Sequence, residues 1–137
     1  MKKTNYNLKQ CLFGLHLFND NVKQVAIVES EKTAIIMSLE MPEYTWMATG
    51  SLFGFKHDFL EALKNTDIIA YPDKGCYEKW SETAKKLNKK GYNITVSNII
   101  EKTEYKEGWD LADAFEFEGK KNTVKQAKTD LNTTAEI

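Results

Sequence analysis

Two short apolar runs, Val25–Val28 and Ile68–Tyr71, constrain this chain more than any other feature. The first is β-rich and carries no polar alternation, as expected of a strand covered on both faces in a parallel sheet. Helical patterns separate such runs. Ser30 is placed to cap a helix through Leu39, and Pro42 bounds it. Tyr44–Ala48 reads as a second strand closed by Thr49, Gly50 and Ser51, and Lys56–Lys64 as a second helix with Phe59, Leu60 and Leu63 inward. The third strand ends at Pro72 and Asp73, and a third helix is expected over Cys76–Lys89 with Gly91 as its stop. Tyr92–Ser97 alternates, as an edge strand does, and Trp109–Phe117 suggests a last short helix after a Glu/Lys-rich loop. Strand and helix in strict succession predict an α/β fold of three layers, with a small, mainly parallel four-stranded sheet and right-handed crossovers.

A chain of 137 residues suits one core. The expected domain covers residues 1–118, with its core at about 10–117, and residues 119–137 form a polar tail, frayed or disordered and a point of truncation from a longer parent. Before the first strand, Cys11–Phe18 reads as a short helix or a buried edge segment. No apolar stretch is long enough to span a bilayer, and the start Met1–Asn7 lacks a secretory apolar segment, so a cytoplasmic location is expected with no membrane partner. Cys11 and Cys76 are expected as free thiols. The 19 basic residues are all lysine and face 20 acidic ones. Without arginine forks or a basic excess, bulk charge supports no claim on duplex DNA, and a nucleic-acid role must come from a local site.

Parallel sheets bind ligands beyond the carboxyl ends of their strands, so the residues there matter most. Glu29 follows the first strand; it is either a helix-start acid or a member of a cleft. Asp73 follows the third, and either caps the next helix or faces Glu29 across neighbouring strands. Two carboxylates in one cleft repel unless a proton or cation intervenes, and hard oxygen donors with an incomplete protein shell suit magnesium held jointly with phosphate. Asp110 and Asp113 are placed either as N-cap and third helical residue or as further acids of the cleft. Lys32 and Lys74 lie nearest the acids as candidate phosphate contacts, and Gly50 and Ser51 stand in a turn able to hold an anion. His16 and His57 have no partners at metal or triad spacing. The turn Glu29-Ser30-Glu31 has no glycine and argues against a dinucleotide fold.

The motif order resembles the Toprim domain, the metal-binding module of topoisomerases, bacterial primases, recombination proteins and related nucleases. VAIVESEKTAI at 25–35 and DIIAYPDKGCYEKW at 67–80 look most like the primase-like Toprim domains of phages and bacterial mobile elements. WMATGSLFG at 46–54, GWDLADAF at 108–115 and LFGL at 12–15 fall where such domains carry a glycine-containing strand exit, a distal acidic motif and a segment preceding the first strand. The resemblance spans about residues 10–117, and the ordered set is more specific than any one motif. It implies that Glu29 matches the family's invariant glutamate, which acts as acid/base or in the metal site. Asp73 then matches the first aspartate of the Asp-x-Asp motif, and Asp110 and Asp113 resemble the distal acids. The second aspartate falls at Gly75, so a carboxylate is missing.

The resemblance implies Mg²⁺, with Mn²⁺ as a substitute, acting on phosphodiesters of DNA or RNA. Three readings follow. The first is phosphoryl transfer in a primase-like or nuclease-like protein of replication or a mobile element, with Glu29, Asp73 and Asp110 around one or two ions and Glu29 moving the proton. A self-sufficient primase is not expected, because no zinc-binding region or polymerase core is present. The second is a non-catalytic module that binds single-stranded nucleic acid, a helicase or another replication protein, with Tyr77, Trp46 and Trp109 as stacking candidates. The third is an unrelated receiver-like α/β protein, whose acidic pattern this chain matches poorly.

Overall fold

The computed structural model describes residues 11–51 and 54–135. The start Met1–Gln10, the pair Leu52 and Phe53 within the 46–54 stretch, and the last two residues of the tail lie outside them.

Four strands form one sheet: β1 (Gln24–Val28), β2 (Thr45–Ala48), β3 (Asp67–Ala70) and β4 (Asn93–Val96). All pairs are parallel and the order is β2-β1-β3-β4. The helices are α1 (Glu31–Glu40), α2 (His57–Leu60), α3 (Tyr77–Asn88) and α4 (Leu111–Ala135). The α/β class and the parallel four-stranded sheet are as the strand-and-helix succession predicts.

Both faces of β1 are buried, which explains its unbroken apolar run. Val25 and Ile27 join Met47, Ile68 and Ile94 on one face, under Leu60, Leu63 and the α3 residues Trp80, Ala84 and Leu87. Ala26, Val28, Trp46 and Ala48 face the other way, under Ala34 and Met37 of α1 and Leu111 and Ala114 of α4. Three layers result, with β1 and β3 at the centre. Between them the chain reverses its direction of winding: β1 leads by α1 to β2, whereas β3 leads by α3 to β4 on the opposite side. A crevice opens at such a switch point.

Each outer strand is closed by a local device. On β2, Phe13 and Ala48 exchange backbone hydrogen bonds of 2.9 and 3.1 Å in an isolated antiparallel bridge. The Cys11–Phe18 segment is thus a bridge followed by one 3-10 turn, Leu15–Leu17. On β4, the side-chain amide of Asn88 accepts from Ile94 N–H and donates to Ile94 C=O, both at 2.9 Å.

Some boundaries differ from expectation. The helix expected over Lys56–Lys64 is one α-turn that tightens into a 3-10 turn at Glu61–Leu63, starting at Lys56 without a side-chain cap. The helix expected to stop near Phe117 runs on to Ala135, so residues 119–135 are helical. Pairs at i,i+4 support the extension: Glu116 with Lys120 at 2.9 Å and Gln126 with Asp130 at 2.9 Å.

Candidate functional site

Glu29 and Asp73 follow the two central strands and flank the switch-point crevice. Ser30, not Glu29, caps α1, its hydroxyl oxygen accepting from Thr33 N–H. The backbone of Glu29 is fixed from the other side, because Gly50 N–H donates to its carbonyl at 2.8 Å. Tyr71 N–H donates to Ile27 O at 2.8 Å, which continues the β1–β3 pairing beyond the strand and delivers Asp73 beside Glu29.

Asp73 has no capping duty. Cys76 occupies the N-cap of α3, and its side chain makes no capping hydrogen bond. The Asp73 carboxyl is half-buried, and its pKa is pushed up to about 7. Burial is the largest cause, followed by the charge of Glu29, a hydrogen bond with the Glu29 side chain, and the charges of Asp110 and Asp113. The four acids singled out in the sequence therefore converge. Among the described residues, however, no three His, Cys, Asp or Glu side chains stand close enough together to hold a metal ion by themselves.

Asp110 and Asp113 do have structural duties. Asp110 Oδ1 accepts from Asp113 N–H at 2.9 Å and Asp113 Oδ2 accepts from Asp110 N–H at 3.1 Å, a reciprocal cap on α4. The second oxygen of Asp110 accepts from the buried Thr33 hydroxyl at 2.8 Å, tying α4 to α1. Both Asp110 oxygens are engaged, which makes it a weaker donor toward any ion than Asp73.

The phosphate candidates divide. Lys32 is exposed and borders a groove that also includes Asp110 and Asp113. Lys74 does not offer a free ammonium as expected: it donates to the carbonyls of Lys102 and Tyr105, pinning the 98–108 loop. Gly50 spends its N–H on Glu29, and Thr49 N–H donates to Val28 O at 3.0 Å, so these two turn donors point inward rather than at an anion. Ser51 is exposed, its carbonyl accepting from the Thr49 hydroxyl at 2.6 Å. The stacking candidates are largely structural. Trp46 is buried against Tyr71 and its indole N–H donates to Met41 O at 2.8 Å, and Trp109 packs on Tyr105 and Phe117. Tyr77 is half-exposed.

Gly75 adopts φ +97°, a left-handed conformation that glycine takes without strain. Its N–H donates to Glu101 Oε1 at 2.9 Å, and a Cβ at this position would lie 3.2 Å from Glu107 Oε2. Carboxylates from the loop after β4 thus stand around the place where an aspartate is missing. Sequence reasoning passed over Glu101, Glu107 and Thr33. The two glutamates sit in a Glu/Lys-rich loop without a motif, and only the close approach of that loop to Gly75 gives them meaning. Cys76 is a free thiol whose pKa is raised by burial first and then by Glu29, Asp73 and Glu101.

Among the described residues no helix is long and apolar enough to cross a membrane. No curated protein and no solved structure matches the chain. A family described as "Domain of unknown function (DUF6371)" matches residues 1–74, which cover β1 to β3 with both Glu29 and Asp73 and stop before Asp110. That match takes in more than half of the sequence, and the chain belongs to this family.

Proposed function

We propose that the crevice between β1 and β3 binds Mg²⁺, or Mn²⁺ in its place, jointly with a phosphate of single-stranded DNA or RNA, and supports phosphoryl transfer in a cytoplasmic, Toprim-like protein of primase or nuclease type. The observation that carries this reading is Asp73: a half-buried carboxyl with no capping role, held against Glu29 at the switch point of a parallel sheet.

The donor set fits an ion shared with substrate. Magnesium keeps several waters and is commonly held by one or two carboxylates plus substrate phosphate, so a pair of acids suffices where a closed protein cage is absent. Glu29 and Asp73 would hold it, and its chemistry there is to neutralise charge on the phosphoryl oxygens. The chain's own part is to keep the two carboxylates together against their repulsion. Burial and the neighbouring acids favour a proton on Asp73 when no cation is present, so the site exchanges a proton for a metal as it loads. Lys32, exposed at the margin of Asp110 and Asp113, would meet the phosphate.

A non-catalytic module that binds nucleic acid, a helicase or another replication protein is favoured by different observations. Gly75 supplies no carboxylate, Asp110 is engaged at both oxygens, and Lys74 is committed to carbonyls. Calorimetric titration of Mg²⁺ or Mn²⁺ into the protein and into Asp73→Ala, each with and without short single-stranded DNA, separates the two. The magnesium reading expects binding that strengthens with DNA and is lost in a folded Asp73→Ala. DNA binding without metal dependence supports the non-catalytic module.

A further inference from the structure

The helix α4 carries opposite charges on its two halves. Asp110, Asp113, Glu116 and Glu118 stand at its start without a lysine among them, whereas residues 119–130 hold Lys120, Lys121, Lys125 and Lys128 against Asp130. Acids at a helix start complement the macrodipole, but that effect fades within the terminal turn, and these lysines lie well before Ala135. Lys120 and Lys121 make exposed pairs with Glu116 and Glu104, of little energetic weight, and Lys125 and Lys128 form no ion pair among the described residues. Beyond Gly119 the side chains through Asp130 are almost all exposed, including Val124 at 53%. Lys121 and Lys128 lie three residues before and four after Val124 and share its side of the helix. The extension is therefore an arm with an apolar spot flanked by lysines.

A receptor for such an arm exists on the same molecule. Between α1 and the first turns of α4 runs a groove of about 340 Å³, with Ile36, Ala112 and Phe115 among its walls. Four carboxylates, those of Glu40, Asp110, Asp113 and Glu116, line it against one lysine, Lys32. Beside it Ile35 and Leu39, one turn apart on α1, are 52% and 79% exposed, although α1 has apolar residues all round. An exposed apolar patch rimmed by charge marks an interaction surface.

We infer that the lysine-bearing arm of α4 docks in the acidic α1–α4 groove of a second copy, giving a dimer by reciprocal exchange of arms. The groove is apolar and negative where the arm is apolar and positive. The same chain cannot satisfy itself, because its arm is the unbroken continuation of the helix that forms the groove wall. Closed two-fold exchange uses both arms and both grooves. The proposal does not depend on the chemistry of the Glu29–Asp73 crevice.

Sedimentation velocity on the full chain, from low micromolar to about 100 µM, tests it. A dimer that weakens as salt rises is expected. Glu40→Lys with Glu116→Lys reverses the sign of the groove's charge, leaving Asp110 and Asp113 against three lysines, and Lys125→Glu with Lys128→Glu reverses the arm's. All four side chains are exposed, and circular dichroism checks that each variant folds. Each double variant alone should associate at least about tenfold more weakly. Mixed in equal amounts they should form a heterodimer, since one contact is restored with reversed charge and the other keeps its native residues. A wild-type monomer at the highest concentration overturns the proposal and leaves the groove to another protein's basic helix. A dimer unaffected by either variant also overturns it.

Discussion

At the residue scale, Asp73 departs most from ordinary behaviour. Its pKa rises from an ordinary 3.8 to about 7, so between those values the folded chain binds more protons than the unfolded one. Stability from this group is full below about pH 4 and is lost as pH rises through 7. Asp73→Asn should therefore flatten the fall in stability between pH 5 and pH 8, raising it at pH 8 by about 1–2 kcal/mol once screening of a half-exposed group is allowed for. Urea midpoints at the two pH values measure this; an unchanged pH dependence would show that Asp73 bears no such strain. Added Mg²⁺ should stabilise the wild type at pH 8 and leave Asp73→Asn unmoved. The sequence points to four acids that the structure brings near one another and expects Glu29 to move the proton; the carboxyl whose pKa is raised to about 7 is that of Asp73. Burial decided the matter, and burial depends on how the 98–108 loop and α4 pack, which no local pattern in this chain reveals.

At the scale of elements, Asn88 does for β4 what a fifth strand would do. Its amide satisfies both backbone groups of Ile94 on the outer side of the sheet, where an unpaired edge invites another chain. Asn88→Ala should cost about 1–2 kcal/mol, the worth of two hydrogen bonds partly replaced by water, and should increase aggregation measured by light scattering. Asn88→Asp keeps the acceptor for Ile94 N–H and loses the donor, so an intermediate effect is expected. A stability equal to wild type in Asn88→Ala would mean that water replaces the amide fully. The strands themselves were legible because burial on both faces leaves a continuous apolar run, and all four observed strands lie within or one residue beyond the expected bounds. The edge clamps were not legible, since an asparagine near a helix end has ordinary local reasons to be there. The capping half of the dual reading of Asp110 and Asp113 is realised because two short acids at that spacing satisfy each other's N–H groups, and their charges still reach Asp73.

At the scale of the whole molecule, the domain boundary drawn at residue 118 and the end of α4 at Ala135 describe different things. Packing stops near the first: Leu111 and Ala114 are buried in the core, Phe117 packs at its margin, and Tyr105 donates to Glu118 Oε1 at 2.8 Å. Helical backbone continues past it on a mixture of good helix formers, the four lysines, Gln126 and Ala127, and poor ones such as Gly119, Asn122, Thr123 and Thr129, supported by exposed i,i+4 pairs rather than by a core. Polar composition alone reads as a tail because it predicts the loss of packing and says nothing of backbone order. A chain ending after Glu118 should accordingly keep its fold, losing exposed turns, the exposed Lys120–Glu116 and Lys121–Glu104 pairs and the Lys121 contact with the Phe117 ring, with a melting temperature within about 4 °C of the full chain at low micromolar concentration. Hydrogen exchange on the full chain should show slow amides in β1 and β3, and amides beyond Gly119 should exchange near the rate of an isolated helix. Strong protection of residues 120–130 at a dilution where the chain is monomeric would place them in the core's cooperative unit and move the boundary to the end of the helix.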